Sequence, residues 1–376
     1  MAKTEPAASH LRIARHGACD AAARADRSHL TTAADFQPPR LLRNRHVQSV
    51  LASSSLRRWL SMRGRDALER DATTHILDCG DGVRLQGFHT RQRALDAARG
   101  LVVLLHGWEG SARSTYVVST GARLLDEGFD VFRLNLRDHG DTHHLNRDLF
   151  HSCRIEEVVG AVRAVQQQFG QGSPLAIAGF SLGGNFALRV ALRAPAAGIA
   201  LGYAAAVCPV VSPAAGLFRL EAGPWFYQSY FLRKWRGSLR RKQALFPDVD
   251  WFAPAELAGN LRELTRALVL RHTDYGSLDR YLDGYSIAGD ILKDLRIPAT
   301  ILTAADDPLI PVDAFRALEL PPQVELDVTA YGGHCGFIRD FSLRSFAEDY
   351  IVERVLRHLC PAAEAALQTG PTAALA

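Results

Sequence analysis

From about Thr74 the chain alternates short apolar runs with longer stretches of helical spacing. Residues 74–79 and 83–89 read as strands joined by Gly80-Asp81-Gly82, a hairpin signature. Residues 101–105 are apolar at every position, as a parallel strand buried on both faces requires. They feed His106-Gly107-Trp108-Glu109-Gly110 and then a helical segment over 114–127. Residues 131–136 predict the next strand. Residues 155–169 predict a helix, with Val158, Val159, Val162 and Val165 at apolar spacing. A strand over 174–178, a helix over 185–193 and a strand over 199–207 add another β-α-β step. This alternation implies an α/β fold with a parallel sheet and right-handed crossovers.

The rhythm breaks at residues 212–290, which are helical, aromatic and basic, with no clear strand. It resumes with a strand at 299–303, a short helix at 312–318, a strand at 324–328 and a helix at 343–359. An insertion this late in a doubly wound sheet predicts a lid over the strand C-termini, where ligands bind. The expected division is a flexible tail (1–36), an extension packing on the core (37–73), the main domain (74–360) and a second tail (361–376).

Composition narrows the function classes. With 376 residues, 47% hydrophobic and 22% charged, the chain can bury a sizeable core. A net charge of +4 over this length gives no argument for nucleic acid or an anionic membrane as a general partner. The six cysteines are scattered, with no C-x-x-C pair and no zinc-type spacing. Free thiols in a reducing, cytoplasmic setting are expected. The mostly apolar run 196–211 is shorter than a membrane span and contains Gly and Pro, so no transmembrane segment is expected. No secretory signal is expected either, because the first residues lack an apolar core.

Candidate chemistry centres on Gly179-Phe180-Ser181-Leu182-Gly183, between an apolar run and a helical stretch. G-x-S-x-G at a strand-to-helix junction is how an α/β-hydrolase presents a nucleophilic serine. A serine hydroxyl needs a base to take its proton and an acid to orient that base. In this fold the order is serine, acid, histidine. Asp306-Asp307-Pro308-Leu309-Ile310-Pro311 follows the 299–303 strand, and Gly332-Gly333-His334-Cys335-Gly336 follows the 324–328 strand. Asp307, directly before the proline of a D-P-x-x-P loop, is the expected acid, and Asp306 a neighbouring loop cap. His334, among small neighbours after the last strand, is the expected base. Backbone N–H groups of Leu182 and Trp108 are the expected oxyanion-hole donors.

Other residues take quieter roles. His106 is expected to shape its turn, and Cys335 to pack. His139, His143, His144 and His151 lack any H-E-x-x-H spacing, so a polar loop near the site's mouth is expected. No metal and no cofactor are expected. In the insertion, Arg233, Lys234, Arg236, Arg240, Arg241 and Lys242 interleave with or follow Trp225, Tyr227, Tyr230 and Trp235. An amphipathic lid helix with cations reaching to water is expected, with transient contact to a lipid surface as its functional variant.

With these loops in order, the chain resembles the AB hydrolase superfamily, and finer features resemble its AB hydrolase 4 family of YheT-like hydrolases. Gly179-Phe180-Ser181-Leu182-Gly183-Gly184-Asn185 is similar to that family's G-x-S-L-G-G-N. His106-Gly107-Trp108-Glu109-Gly110-Ser111 resembles its H-G-x-E-G-S loop, and Asn44-Arg45-His46-Val47-Gln48-Ser49 its N-x-H-x-Q-T/S segment. Asp138 and His139 depart from the family's N-x-R-G-x-G. The resemblance spans residues 38–360. It implies a mostly parallel eight-stranded sheet flanked by helices, with a helical lid. It also implies hydrolysis of carboxylic esters, of short-chain carboxylesterase or acylglycerol lipase type, with Ser181 as nucleophile, His334 as base and Asp307 as orienting carboxylate. The substrate is then a small ester or lipid-like molecule. An acyltransferase on the same triad, and a non-enzymatic binding protein, are the alternatives.

Overall fold

Apolar strands of this kind can be satisfied only inside a sheet covered on both faces, and that is the observed arrangement. The computed structural model describes residues 33, 36–62, 66–170 and 172–360. Nearly all of the two expected tails lies outside the described residues. Eight strands form one sheet: β1 (Thr73–Asp78), β2 (Arg84–Thr90), β3 (Leu101–Leu105), β4 (Asp130–Leu134), β5 (Leu175–Phe180), β6 (Leu201–Val207), β7 (Ala299–Ala304) and β8 (Val324–Thr329). Their order is β1-β2-β4-β3-β5-β6-β7-β8. β2 pairs antiparallel with β1 and β4, and every other pairing is parallel.

The helices follow in chain order. The extension holds α1 (Arg45–Ala52), α2 (Ser55–Met62) and α3 (Ala67–Arg70), and the crossovers hold α4 (Thr115–Asp126), α5 (Ile155–Val165) and α6 (Leu182–Arg193). Between β6 and β7 come α7 (Pro213–Ala222), α8 (Trp225–Leu245), α9 (Pro254–Ala258), α10 (Leu261–His272) and α11 (Leu278–Asp283); α12 (Val312–Arg316) and α13 (Phe346–Leu359) complete the fold. Alternate residues of each central strand feed opposite layers. Val103, Leu105 and Ile177 pack with Val158, Val162 and Phe186 of α5 and α6. Val102, Leu104 and Ala178 pack with Val117 of α4 and Tyr350 and Ile351 of α13. Phe36 is buried against Phe337 and Phe346, so the chain is anchored just before the extension.

Several boundaries differ from the expected ones for local reasons. The helix expected over 155–169 ends at Val165, and residues 166–170 form a wider π-type turn. That turn brings Phe169 onto His75 and His89, with ring centroids 4.7 and 4.5 Å away. The helix expected from residue 343 begins at Phe346, because Leu343 has a φ of 57°. The helix expected from residue 185 begins three residues earlier, at Leu182.

The insertion is tied to the body by a buried ion pair. Lys242 of α8 donates to Asp138 Oδ1 at 2.7 Å and to the carbonyls of His143 and Asn146. Arg233, Lys234, Arg240 and Arg241 are exposed as expected, but Lys242 is fully buried and does not reach water. The reason is Asp138, whose second oxygen accepts from the Phe150 amide at 2.8 Å. Removing one partner of a buried pair strands the other. Lys242→Met is therefore expected to destabilise the protein by about 3 kcal/mol, read as a lower urea midpoint.

Candidate active site

Ser181 sits where β5 turns into α6, at φ 53° and ψ −119°, a backbone that non-glycine residues rarely adopt. Such a conformation costs on the order of 1–3 kcal/mol and persists only where packing imposes it. Packing does so here. A Cβ on Gly179 would lie 2.1 Å from the Gly183 carbonyl oxygen, and one on Gly183 would lie 2.5 Å from that of His106. The two motif glycines let β5, α6 and the end of β3 meet at backbone contact. Ser181 is left half-buried at the rim, while Leu182 beside it is buried.

The two later loops bring their residues to the same point. His334 Nε2 lies 2.9 Å from Ser181 Oγ, and His334 Nδ1 lies 2.9 Å from Asp307 Oδ2. Asp307 Oδ1 accepts from the amides of Leu309 and Ile310 at 2.8 and 3.0 Å, which fixes the carboxylate in its D-P-x-x-P turn. Asp306 accepts from the Gly333 amide at 2.9 Å and holds the histidine loop. Burial works to lower the His334 pKa, but the charge of Asp307, that of Cys335 and the hydrogen bond to Asp307 outweigh it and lift it to about 9.

The other histidines behave differently. His106 is fully buried, donates from Nδ1 to the Gly107 carbonyl and accepts at Nε2 from Leu136 N–H. It braces its turn, as expected. His139 donates to the Arg137 carbonyl and accepts from the Glu109 amide, and His143 Nε2 lies 2.7 Å from Ser238 Oγ. Burial first, with nearby cations, pushes His139 to about 4 and both His143 and His151 to about 3. His139 and His143 are buried and His151 is half-buried, all three line the cavity over Ser181, and His144 is exposed. His residues of that loop do not gather as metal ligands among the described residues; Cys208, His334 and Cys335 do, with ligand atoms all within 4.8 Å.

A cavity of about 1260 Å³ opens over Ser181 and His334. The insertion supplies much of its apolar wall, including Leu217, Phe226, Phe231, Trp235, Leu261 and Leu268. Trp108 stacks on Phe231, with centroids 5.2 Å apart, so its indole is a wall residue. Glu109, also on the wall, has a carboxyl that burial raises to about 7 against the pull of Lys234.

Sequence reasoning missed how the extension holds the histidine loop. Gln48, fully buried in α1, donates to the Leu42 and Ile338 carbonyls and accepts from the Ile338 amide at 2.6 Å. Ser49 Oγ accepts from His334 N–H at 2.8 Å. Side chains on Gly333 or Gly336 would collide with the Arg45 or Gln48 carbonyl, at 2.4 and 2.5 Å. The signal was the Asn44-to-Ser49 motif, whose partners lie about 290 residues away and were invisible to local reading.

A sheet of this order, with a serine on the sharp turn after its central strand, is the architecture of α/β hydrolases. The sequence profile of the alpha/beta hydrolase family matches residues 102–343, and the chain belongs to that family. It is 29% identical over 318 residues to "Putative esterase YheT" of Escherichia coli (strain K12), covering 83% of this chain and 90% of that protein. It is 25% identical over 273 residues to phospholipase ABHD3 of Mus musculus, covering 69% of this chain and 64% of that one. Among solved structures, 2,6-dihydroxy-pseudo-oxynicotine hydrolase shares the fold, with a TM-score of 0.51 at 18% identity over 80% of this chain and 72% of the other. No helix among the described residues is long and apolar enough to cross a membrane.

Gln48→Ala would orphan backbone groups of Leu42, in the extension, and of Ile338, just after the histidine loop. It is expected to lower stability by about 2 kcal/mol, measured by chemical denaturation.

Proposed function

We propose that this protein hydrolyses carboxylic esters through an acyl-enzyme on Ser181. The observation that carries the reading is the continuous chain of contacts from Asp307 through His334 to Ser181, at 2.9 Å on each side. With Asp307 fixed by two amides, Nδ1 carries the proton and Nε2 is left to accept one. His334 takes the Ser181 proton as Oγ attacks the ester carbonyl, then gives it to the departing alcohol. Water, deprotonated by the same nitrogen, releases the acid.

The developing oxyanion needs two fixed donors. Leu182 is the first residue of α6, so its N–H has no carbonyl one turn earlier to bond. It also lies at the positive end of the helix dipole. The Trp108 amide, on the neighbouring strand-end loop, is the second donor. The apolar wall suits an acyl chain, and helices α7 to α11 act as a lid over it. The esterase and phospholipase names of two relatives fit this substrate class.

Two measurements test the reading. Ser181→Ala should abolish hydrolysis of a short-chain nitrophenyl ester and labelling by a fluorophosphonate probe; full activity in the variant would sink the assignment. The second is the pH profile. Only neutral imidazole can accept the serine proton, and His334 is held up at about 9. kcat/KM should therefore rise with pH along a limb centred well above the usual histidine value of 6.5. Asp307→Asn removes the main raising charge, so its limb should move to lower pH while kcat drops by about 10⁴-fold.

A further inference from the structure

Behind the serine and histidine lie two thiols that neither attack the ester nor carry its protons in the chemistry proposed above. Cys208 follows β6, and Cys335 follows His334 in the loop after β8. The Cys335 amide donates to Cys208 Sγ at 3.4 Å, across 127 residues of sequence. Both cysteines have positive φ, 44° and 57°. Strain of this kind in non-glycine residues collects at functional sites. Cys208 is fully buried, whereas Cys335 lines the cavity and gives a route inward. The ligand atoms of Cys208, His334 and Cys335 all lie within 4.8 Å of one another.

We propose that Cys208, Cys335 and His334 form a binding site for a thiophilic divalent cation of the zinc and cadmium class, and that its occupancy blocks hydrolysis. The block rests on the function proposed above; the site itself does not.

A two-sulfur, one-imidazole donor set prefers such ions to magnesium or calcium. Tetrahedral coordination at about 2.3 Å to sulfur and about 2.0–2.1 Å to nitrogen sets ligand atoms roughly 3.5–3.8 Å apart, within reach of small side-chain rotations. On binding, each thiol releases its proton to solvent, the His334 ring, where protonated, releases one as well, the two thiolates balance the dication's charge, and the neutral imidazole supplies a lone pair. The fourth position is left to solvent from the cavity. Both ring nitrogens of His334 are already engaged, one with Asp307 and one with Ser181. Whichever nitrogen coordinates must give up its partner, so the metal and the hydrolytic arrangement exclude each other.

The experiment titrates the metal-free full chain with cadmium and follows the thiolate-to-cadmium charge-transfer absorption. A band saturating at one equivalent is expected in the wild-type protein and in Ser181→Ala. It should vanish in Cys208→Ser and Cys335→Ser, with thermal melts confirming that each variant is folded, and weaken at least tenfold in affinity in His334→Ala. One equivalent of zinc should cut ester hydrolysis at least tenfold, reversibly with chelator, while magnesium does nothing. Cys208→Ser should hydrolyse at the wild-type rate, and both cysteine variants should keep their own zinc-free rates when zinc is added. No band in the folded wild type, a band that survives Cys208→Ser, or equal zinc inhibition of the cysteine variants would overturn the site. Binding without inhibition would overturn the place of His334 in it. A chain that hydrolyses no ester would defeat the function reading, and the cadmium band would still decide the site.

Discussion

Backbone contact between the end of β5, the start of α6 and the end of β3 is the constraint on which the rest of this molecule depends. It excludes side-chain atoms at Gly179 and Gly183, forces Ser181 into a strained conformation, and sets the N-terminus of α6 beneath it. The same helix turn organises what lies above. Asn185 Nδ2 donates to the carbonyls of Val210 and Tyr285, both at 2.8 Å. Those carbonyls flank the helices of the insertion at its entry and exit. A single helix start thus fixes the serine and ties down both stems of the wall over it.

The histidines show how environment, not residue type, decides chemistry. His106, His139, His143 and His151 are all pushed down, because burial finds no carboxylate to offset it. His334 loses as much water and still rises, because Asp307 faces it across one hydrogen bond. The neutral histidines can then serve as directional hydrogen-bond pieces, each with one donor and one acceptor nitrogen. That is how His106 and His139 clamp the loops leaving β3 and β4. Had these rings been charged, the acceptor contacts with Leu136 and Glu109 would be lost.

What was legible in the sequence is what depends on near neighbours. The wholly apolar 101–105 run coincides with β3, because a strand buried on both faces leaves no polar position. The loops carrying Ser181, Asp307 and His334 could be put on one sheet edge because each follows a parallel strand. The start of α6 was misjudged because Gly183 and Gly184 are poor helix formers taken alone, whereas tertiary contact requires them there. Lys242 read as a solvated cation because Asp138, its partner, lies 104 residues earlier. Gln48 and Cys208 were silent for the same reason. Their meaning comes from contacts made only after the sheet has assembled.

Trp108 joins two properties that local motifs would keep separate. Its backbone belongs to the strand-end loop beside Ser181, while its indole stacks on Phe231 and meets Trp235 edge-on, both in α8. α8 is in turn anchored by Lys242 to Asp138, and Lys234 donates to the Glu109 carbonyl at 2.9 Å, one residue from Trp108. A shift of α8 would therefore move the cavity wall and the loop that carries the proposed oxyanion donor together. Asp138, which departs from the family's pattern, is the hinge pin of this coupling. On these contacts, the packing of α8 sets both the shape of the cavity wall and the position of the Trp108 loop.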